Sequence, residues 1–285
     1  MKISRRSAIK NMAASVGGLA ASMTLGHPAR AAGKATAFAL IGDRYHNSDY
    51  LRTGLGKTLG KDHGLSIDFC DEVKMLTAEH LQGYRLLIIL RDGMTWPNGY
   101  SDENSNAGYV RSGSPRIVSE PPVPNPEGKA HYWITADQGR AVKQFVQSGG
   151  SALFFHNTTY ISPHNEDFRE VLGAVTEGHP PIRPFKVKIV NKEHPITRGA
   201  NDFVVTDEQH YMKYEKDPKF LLMQSVNEDG LAFKELGTTA AAGWAYDFGK
   251  GRVCYLGPGH LLMALWNPEY EKIQRNAARW LLRET

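Results

Sequence analysis

Apolar positions recur along the chain in two periods, one close to two residues and one close to 3.6, and the switches between them outline the elements. Thr36 to Ile41 is a compact apolar run that predicts a first strand, and Asp49 to Leu59 places Leu51, Leu55 and Leu59 on one helical face. Leu65 to Phe69 alternates as a second strand, and Thr77 stands as the cap of a short helix ending at Gly83. Leu86 to Leu90 is an unbroken aliphatic run, the mark of a strand buried on both faces. Thr135-Ala136-Asp137-Gln138 is a capping box of the T-x-x-Q form, with Val142, Phe145 and Val146 directed inward until Gly149-Gly150 stops the helix. Ala152 to Phe155 is the fourth strand and ends at His156-Asn157.

That alternation of strand and helix predicts an α/β fold built on a doubly wound, mostly parallel sheet with helices on both faces. The second half reads differently. Phe185–Val190, Phe203–Val205, Phe220–Met223, Ala240–Tyr246 and Arg252–Leu256 are strand candidates with few helices between them. They predict an antiparallel extension of the same sheet rather than a second domain. After the last strand, Gly257-Pro258-Gly259 predicts a sharp, exposed turn with His260 directly behind it. Asn267-Pro268 is a helix cap with proline at the first helical position, and Ile273, Ala277, Trp280 and Leu281 give the final helix a buried face.

Two segments fall outside this scheme. Residues 95–133 are rich in proline, glycine, serine and asparagine, too long for an ordinary connection, and carry Trp96, Tyr100, Tyr109, Tyr132 and Trp133. Aromatics in such an insertion suit either a sugar-stacking surface or the pinning of a loop to the body. Residues 1–31 read as a twin-arginine export signal: Arg5-Arg6, a modest apolar stretch from Met12 to Leu25, and small residues at Ala29-Arg30-Ala31. The apolar stretch is too short and too rich in glycine, alanine and serine for a stable membrane span. The domain layout is therefore a leader over 1–31 and a single domain over 32–285, with the twin-arginine export machinery as partner and a periplasmic or secreted destination.

The leader also changes the charge. It holds Lys2, Arg5, Arg6, Lys10 and Arg30 and no acidic residue, so 29 of the 34 basic residues remain against 30 acidic ones, a net charge of −1 in place of +4. No basic surface is left to suggest nucleic acid. Cys70 and Cys254 lie on strands expected at opposite sides of the sheet, so both are expected as free thiols.

Ligands of open α/β sheets bind beyond the carboxyl ends of the strands. His46 follows the first strand, Arg91-Asp92 the third, His156 the fourth and His260 the last, while Asp207-Glu208 adds carboxylates after another. A single histidine there is more often structural, and an Asp-Glu pair more often a solvated turn. Three histidines leaving separate strands at one end nonetheless point to a shared site, with Glu208 as its fourth member. Such a set either ligates a divalent metal such as zinc, with His46, His156 and His260 as ligands, or divides acid and base roles. Arg91, Asp92, Asn157, Tyr211 and Trp96 are the candidates for substrate contacts. The chain has no Gly-x-Ser-x-Gly elbow, Walker loop or dinucleotide fingerprint, so no nucleotide cofactor is expected.

The order and spacing of several short motifs resemble the ThuA-like (trehalose utilisation) family. They are Thr135 to His156, His194-Pro195-Ile196-Thr197, Asp207-Glu208 with Tyr211, Gly249 to His260, Asn267-Pro268 and Trp280. The resemblance covers nearly all of the chain beyond the leader and implies a class I glutamine amidotransferase-like, flavodoxin-related fold. It also implies carbohydrate metabolism, with a sugar or 3-keto-sugar as substrate. Amidotransferase activity is not implied, because His156 stands where the nucleophilic cysteine would be. The Gly257-Pro258-Gly259 turn and the long insertion depart from the family pattern. A non-catalytic carbohydrate-binding or accessory protein is the alternative to an enzyme.

Overall fold

The computed structural model describes residues 35–95 and 130–284. Residues 1–34 and most of the 95–133 stretch, with Trp96, Tyr100 and Tyr109, lie outside them. A nine-stranded sheet runs through the described residues in the order β2-β1-β3-β6-β13-β12-β11-β8-β9. Five neighbouring strands are parallel: β2 (Ile67–Cys70), β1 (Ala37–Ile41), β3 (Leu86–Leu90), β6 (Ser151–Phe155) and β13 (Gly251–Leu256). The remaining four, β12 (Thr239–Phe248), β11 (Leu221–Val226), β8 (Arg183–Ile189) and β9 (Phe203–Asp207), continue it antiparallel. The antiparallel extension expected from the second half is present.

Because side chains alternate along a strand, the aliphatic run of β3 is divided between two cores. Leu86, Ile88 and Leu90 share one with Leu51 and Leu55 of α1 (Ser48–Leu55) and with Ile273, Ala277 and Leu281 of α6 (Pro268–Leu282). Leu87 and Ile89 share the other with Val142 and Val146 of α3 (Ala136–Gln147) and with Phe168, Val171 and Leu172 of α4 (Glu166–Leu172). Each such fully buried side chain contributes about 1.5–3 kcal/mol by leaving water. Two further helices, α2 (Ala78–Leu81) and α5 (Leu262–Leu265), are single turns.

The caps form as the residue types require. Thr135 and Gln138 make both bonds of the capping box, and the Asn267 side chain accepts from the N–H groups of Glu269 and Tyr270. Past α1 the helix widens to a π-helical turn over Gly56–Lys61.

Two small antiparallel ladders escaped the periodicity. β7 (Ala174–Gly178) pairs with β10 (Tyr211–Tyr214). β4 (Met94–Thr95) pairs with β5 (His131–Tyr132), so the insertion leaves and rejoins the body on one ladder. Trp133 anchors that junction: it is buried, its indole N–H donates to Asp92 O at 2.7 Å, and the Arg91 guanidinium lies 5.2 Å from its ring centre. Among the described residues no helix is long and apolar enough to cross a membrane.

The turn after β13 corrects an expectation. Gly257, Pro258 and Gly259 are buried, not exposed. A Cβ on Gly259 would stand 2.7 Å from His156 Cβ, so glycine is required there by close approach to the site rather than by the turn alone.

Candidate functional site

His46 sits in the loop after β1, and Asp43 builds that loop. Asp43 Oδ1 accepts the backbone N–H of Tyr45 and His46 and lies 2.8 Å from His46 Nδ1, while Oδ2 accepts from Asp92 N and Asn157 Nδ2. Burial pushes the Asp43 carboxyl up, but the bonds and charge of His46, with Asn157 and Tyr45, outweigh it and hold the group below the usual carboxylate range. An ionised Asp43 makes His46 Nδ1 the N–H and leaves Nε2 as the nitrogen turned to the site.

His156 occupies the sharp corner where β6 ends. Its φ of 48° is a left-handed conformation that costs a non-glycine residue free energy and occurs mostly where surroundings enforce it. Tyr255 hydroxyl donates to His156 O at 2.7 Å, and Thr158 Oγ1 donates to Ile89 O at 3.1 Å, which pins the corner. His156 Nδ1 lies 3.1 Å from Gly257 O, so it carries the hydrogen and Nε2 presents its lone pair. That Nε2 is buried and forms no hydrogen bond.

Glu208 and His260 arrive from opposite ends of the antiparallel half. β9 and β13 are separated by three strands, roughly 19 Å in a flat sheet. Asp207 bridges them: its carboxylate accepts from the N–H groups of Gly259 (2.7 Å), His260 (3.3 Å) and Leu261 (3.0 Å). Asp207 is fully buried, so the solvated-turn reading of Asp207-Glu208 does not hold.

The four residues meet. The ring centres of His46, His156 and His260 are 4.6–5.8 Å apart. His46 Nε2 lies 2.9 Å from His260 Nδ1, and Glu208 Oε2 lies 3.2 Å from His260 Nδ1 and 3.3 Å from His156 Nε2. One nitrogen or oxygen from each of the four falls within 4.8 Å of the others. Burial works against ionising Glu208, but hydrogen bonding with His210 and His260 lowers its carboxyl below the usual range. Burial lowers His156, whereas at His260 the Glu208 carboxylate overcomes burial and raises it.

The other candidates separate. Asp92 and Asn157 line a cavity of about 370 Å3 together with Tyr45, His46, Tyr160, His179, Glu208 and His210, a volume within the roughly 300–1,000 Å3 of small-molecule sites. Arg91 does not line it: the guanidinium donates to Asp71 O and Met94 O. Tyr211 is also outside, its hydroxyl donating to Gly237 O at 3.0 Å. Both serve the scaffold: backbone carbonyls take the Arg91 terminal nitrogens and the Tyr211 hydroxyl. Trp96 lies outside the described residues.

Asp43, His179 and His210 escaped the sequence reading, as did the cavity-lining Tyr45 and Tyr160. Asp43, three positions before His46, carried a signal in its spacing; His210, two after Glu208, carried a weaker one. His179 carried none, since it follows β7, a strand without a periodic pattern.

The ThuA family, described as trehalose utilisation, matches residues 125–281, more than half of the chain. No curated protein matches by sequence. Among solved structures, a ThuA-like protein from Bacteroides uniformis is 20% identical with a TM-score of 0.57, over 90% of this chain and 95% of that one. Another, from Parabacteroides merdae, is 15% identical with a TM-score of 0.60, over 88% and 91%. A β-galactosidase from Rahnella sp. R3 shares the fold at 14% identity and a TM-score of 0.51, this chain corresponding to 32% of that one. The family model spans more than half of the chain, and this chain belongs to the ThuA family, linked to trehalose utilisation and so to carbohydrate metabolism.

Proposed function

We propose that this is an exported enzyme acting on a sugar or 3-keto-sugar, with His46, His156, His260 and Glu208 holding a divalent ion such as zinc. One observation carries the reading: four donor atoms from four separate loops stand within 4.8 Å of one another. Their contacts of 2.9, 3.2 and 3.3 Å match the edges of a shell whose ligands lie about 2.0–2.2 Å from a metal. The donor set suits the ion as well. Asp43 and Gly257 O hold the outer nitrogens of His46 and His156, the arrangement that aims an inner lone pair at a metal and raises its basicity.

A bound divalent ion polarises a carbonyl or hydroxyl oxygen and acidifies a coordinated water. The chain supplies the rest. The neighbouring imidazoles favour the ionised form of Glu208, the form in which a carboxylate serves as a ligand. Asp92, Asn157, Tyr45 and Tyr160 form the cavity wall where sugar hydroxyls would be oriented.

The test combines metal analysis of the purified protein with turnover assays on disaccharides and their 3-keto forms. His156→Ala and His260→Ala should each abolish both turnover and bound metal while leaving the melting temperature of metal-free protein nearly unchanged. Sugar binding without turnover in the metal-loaded protein would instead favour a binding protein.

A further inference from the structure

Glu208 Oε2 has more imidazole neighbours than its lone pairs can serve. Beside His156 and His260, it lies 3.3 Å from His210 Nε2 and 3.7 Å from His179 Nε2. A carboxylate oxygen offers about two lone-pair sites, and not all these nitrogens have a hydrogen to give. His179 Nδ1 lies 2.9 Å from Pro180 O, so that nitrogen carries an N–H and Nε2 is the nitrogen turned toward the carboxylate. Where a ring nitrogen facing the carboxylate bears a lone pair instead of a hydrogen, a cation between the two relieves the repulsion. One ring nitrogen of His179, one of His210 and an oxygen of Glu208 fall within 4.8 Å of one another, a second convergent donor set beside the first. The rings of His179 and His210 are stacked, with centres 4.8 Å apart, and both residues face the cavity.

We propose that the site is dinuclear: Glu208 bridges the ion of the first set to a second divalent ion held by His179 and His210. This rests on the first set being a metal site. Two protein nitrogens and a shared carboxylate leave the second position open on the cavity side, where oxygen ligands complete it. Two ions bridged by one carboxylate, about 3.5–4 Å apart in enzymes of this kind, favour a substrate with two neighbouring oxygens, the α-hydroxy-ketone or vicinal diol of a sugar. The competing arrangement keeps a hydrogen on His210 Nε2, which then donates to Glu208, and holds one ion.

The experiment is a metal stoichiometry. Full-length protein stripped by chelation is titrated with Zn2+, gel-filtered, and its metal per chain measured, with circular dichroism confirming the fold of each variant. Two ions per chain are expected, falling to one in the double variant His179→Gln/His210→Gln. Loading with Mn2+ should give an exchange-coupled paramagnetic resonance spectrum that becomes uncoupled in that variant. One ion per chain, unaffected by His179→Gln/His210→Gln and lost in His46→Gln/His260→Gln, overturns the second site and leaves the first. No ion in the native protein overturns both.

Discussion

Asp43 shows how one side chain sets the chemistry of another. It touches no ligand position, yet its contacts orient His46 and decide which nitrogen faces the site. Asp43→Asn keeps the shape but removes the charge that selects the tautomer. It should weaken metal binding by about 10–100-fold, as read by competition against a chromophoric chelator; unchanged affinity would dismiss the orienting role. His194 illustrates the opposite case, a histidine kept neutral for structure. Its Nδ1 accepts from Ile196 N at 3.2 Å, and burial, with the charges of Arg252 and Arg198, lowers its pKa. A lowered folded-state value means the unfolded chain binds the proton first. The stability contributed is therefore present above about pH 6.5 and lost as pH falls from there toward the folded-state value. Urea midpoints of metal-free protein between about pH 7.5 and 5.5 should decline less steeply in His194→Asn, whose Oδ1 can accept the same bond without titrating; an equal slope would refute this.

At the scale of elements, the decisive object is the segment after β13, tied to β9 through Asp207. Three backbone N–H groups converge on that carboxylate. Leaving buried donors unpaired costs about 1–3 kcal/mol each. Asp207→Ala should therefore destabilise the fold by at least about 3 kcal/mol and displace His260, visible as a lowered urea midpoint together with lost metal binding. A stable variant that still binds metal would show that the turn holds itself. The Thr135 capping box and the Gly149-Gly150 stop were legible in the sequence because they depend on neighbours within four residues. The β7–β10 ladder was not, because residues 179–210 separate its strands and neither is strongly patterned.

At the scale of the molecule, the leader reading stands as a prediction about the cell. Intact-mass measurement of exported protein should show loss of residues up to about Ala31, and Arg5→Lys with Arg6→Lys should block export. Retention of Met1 in the exported product would refute it. The sequence by itself determined the α/β class, the parallel half of the sheet, the antiparallel extension and the fact that His46, His156 and His260 leave strands at one end. These follow from residue periodicity and from the rule that crossovers return parallel strands to the same edge. Only the tertiary structure decided that Glu208 reaches those histidines across three intervening strands, that Arg91 and Tyr211 serve the scaffold, and that His179 and His210 join the site. The reason is physical: where a strand ends is a local property, but which loops meet above the sheet depends on its strand order and on buried bonds such as those of Asp207, which form only once the whole chain has packed.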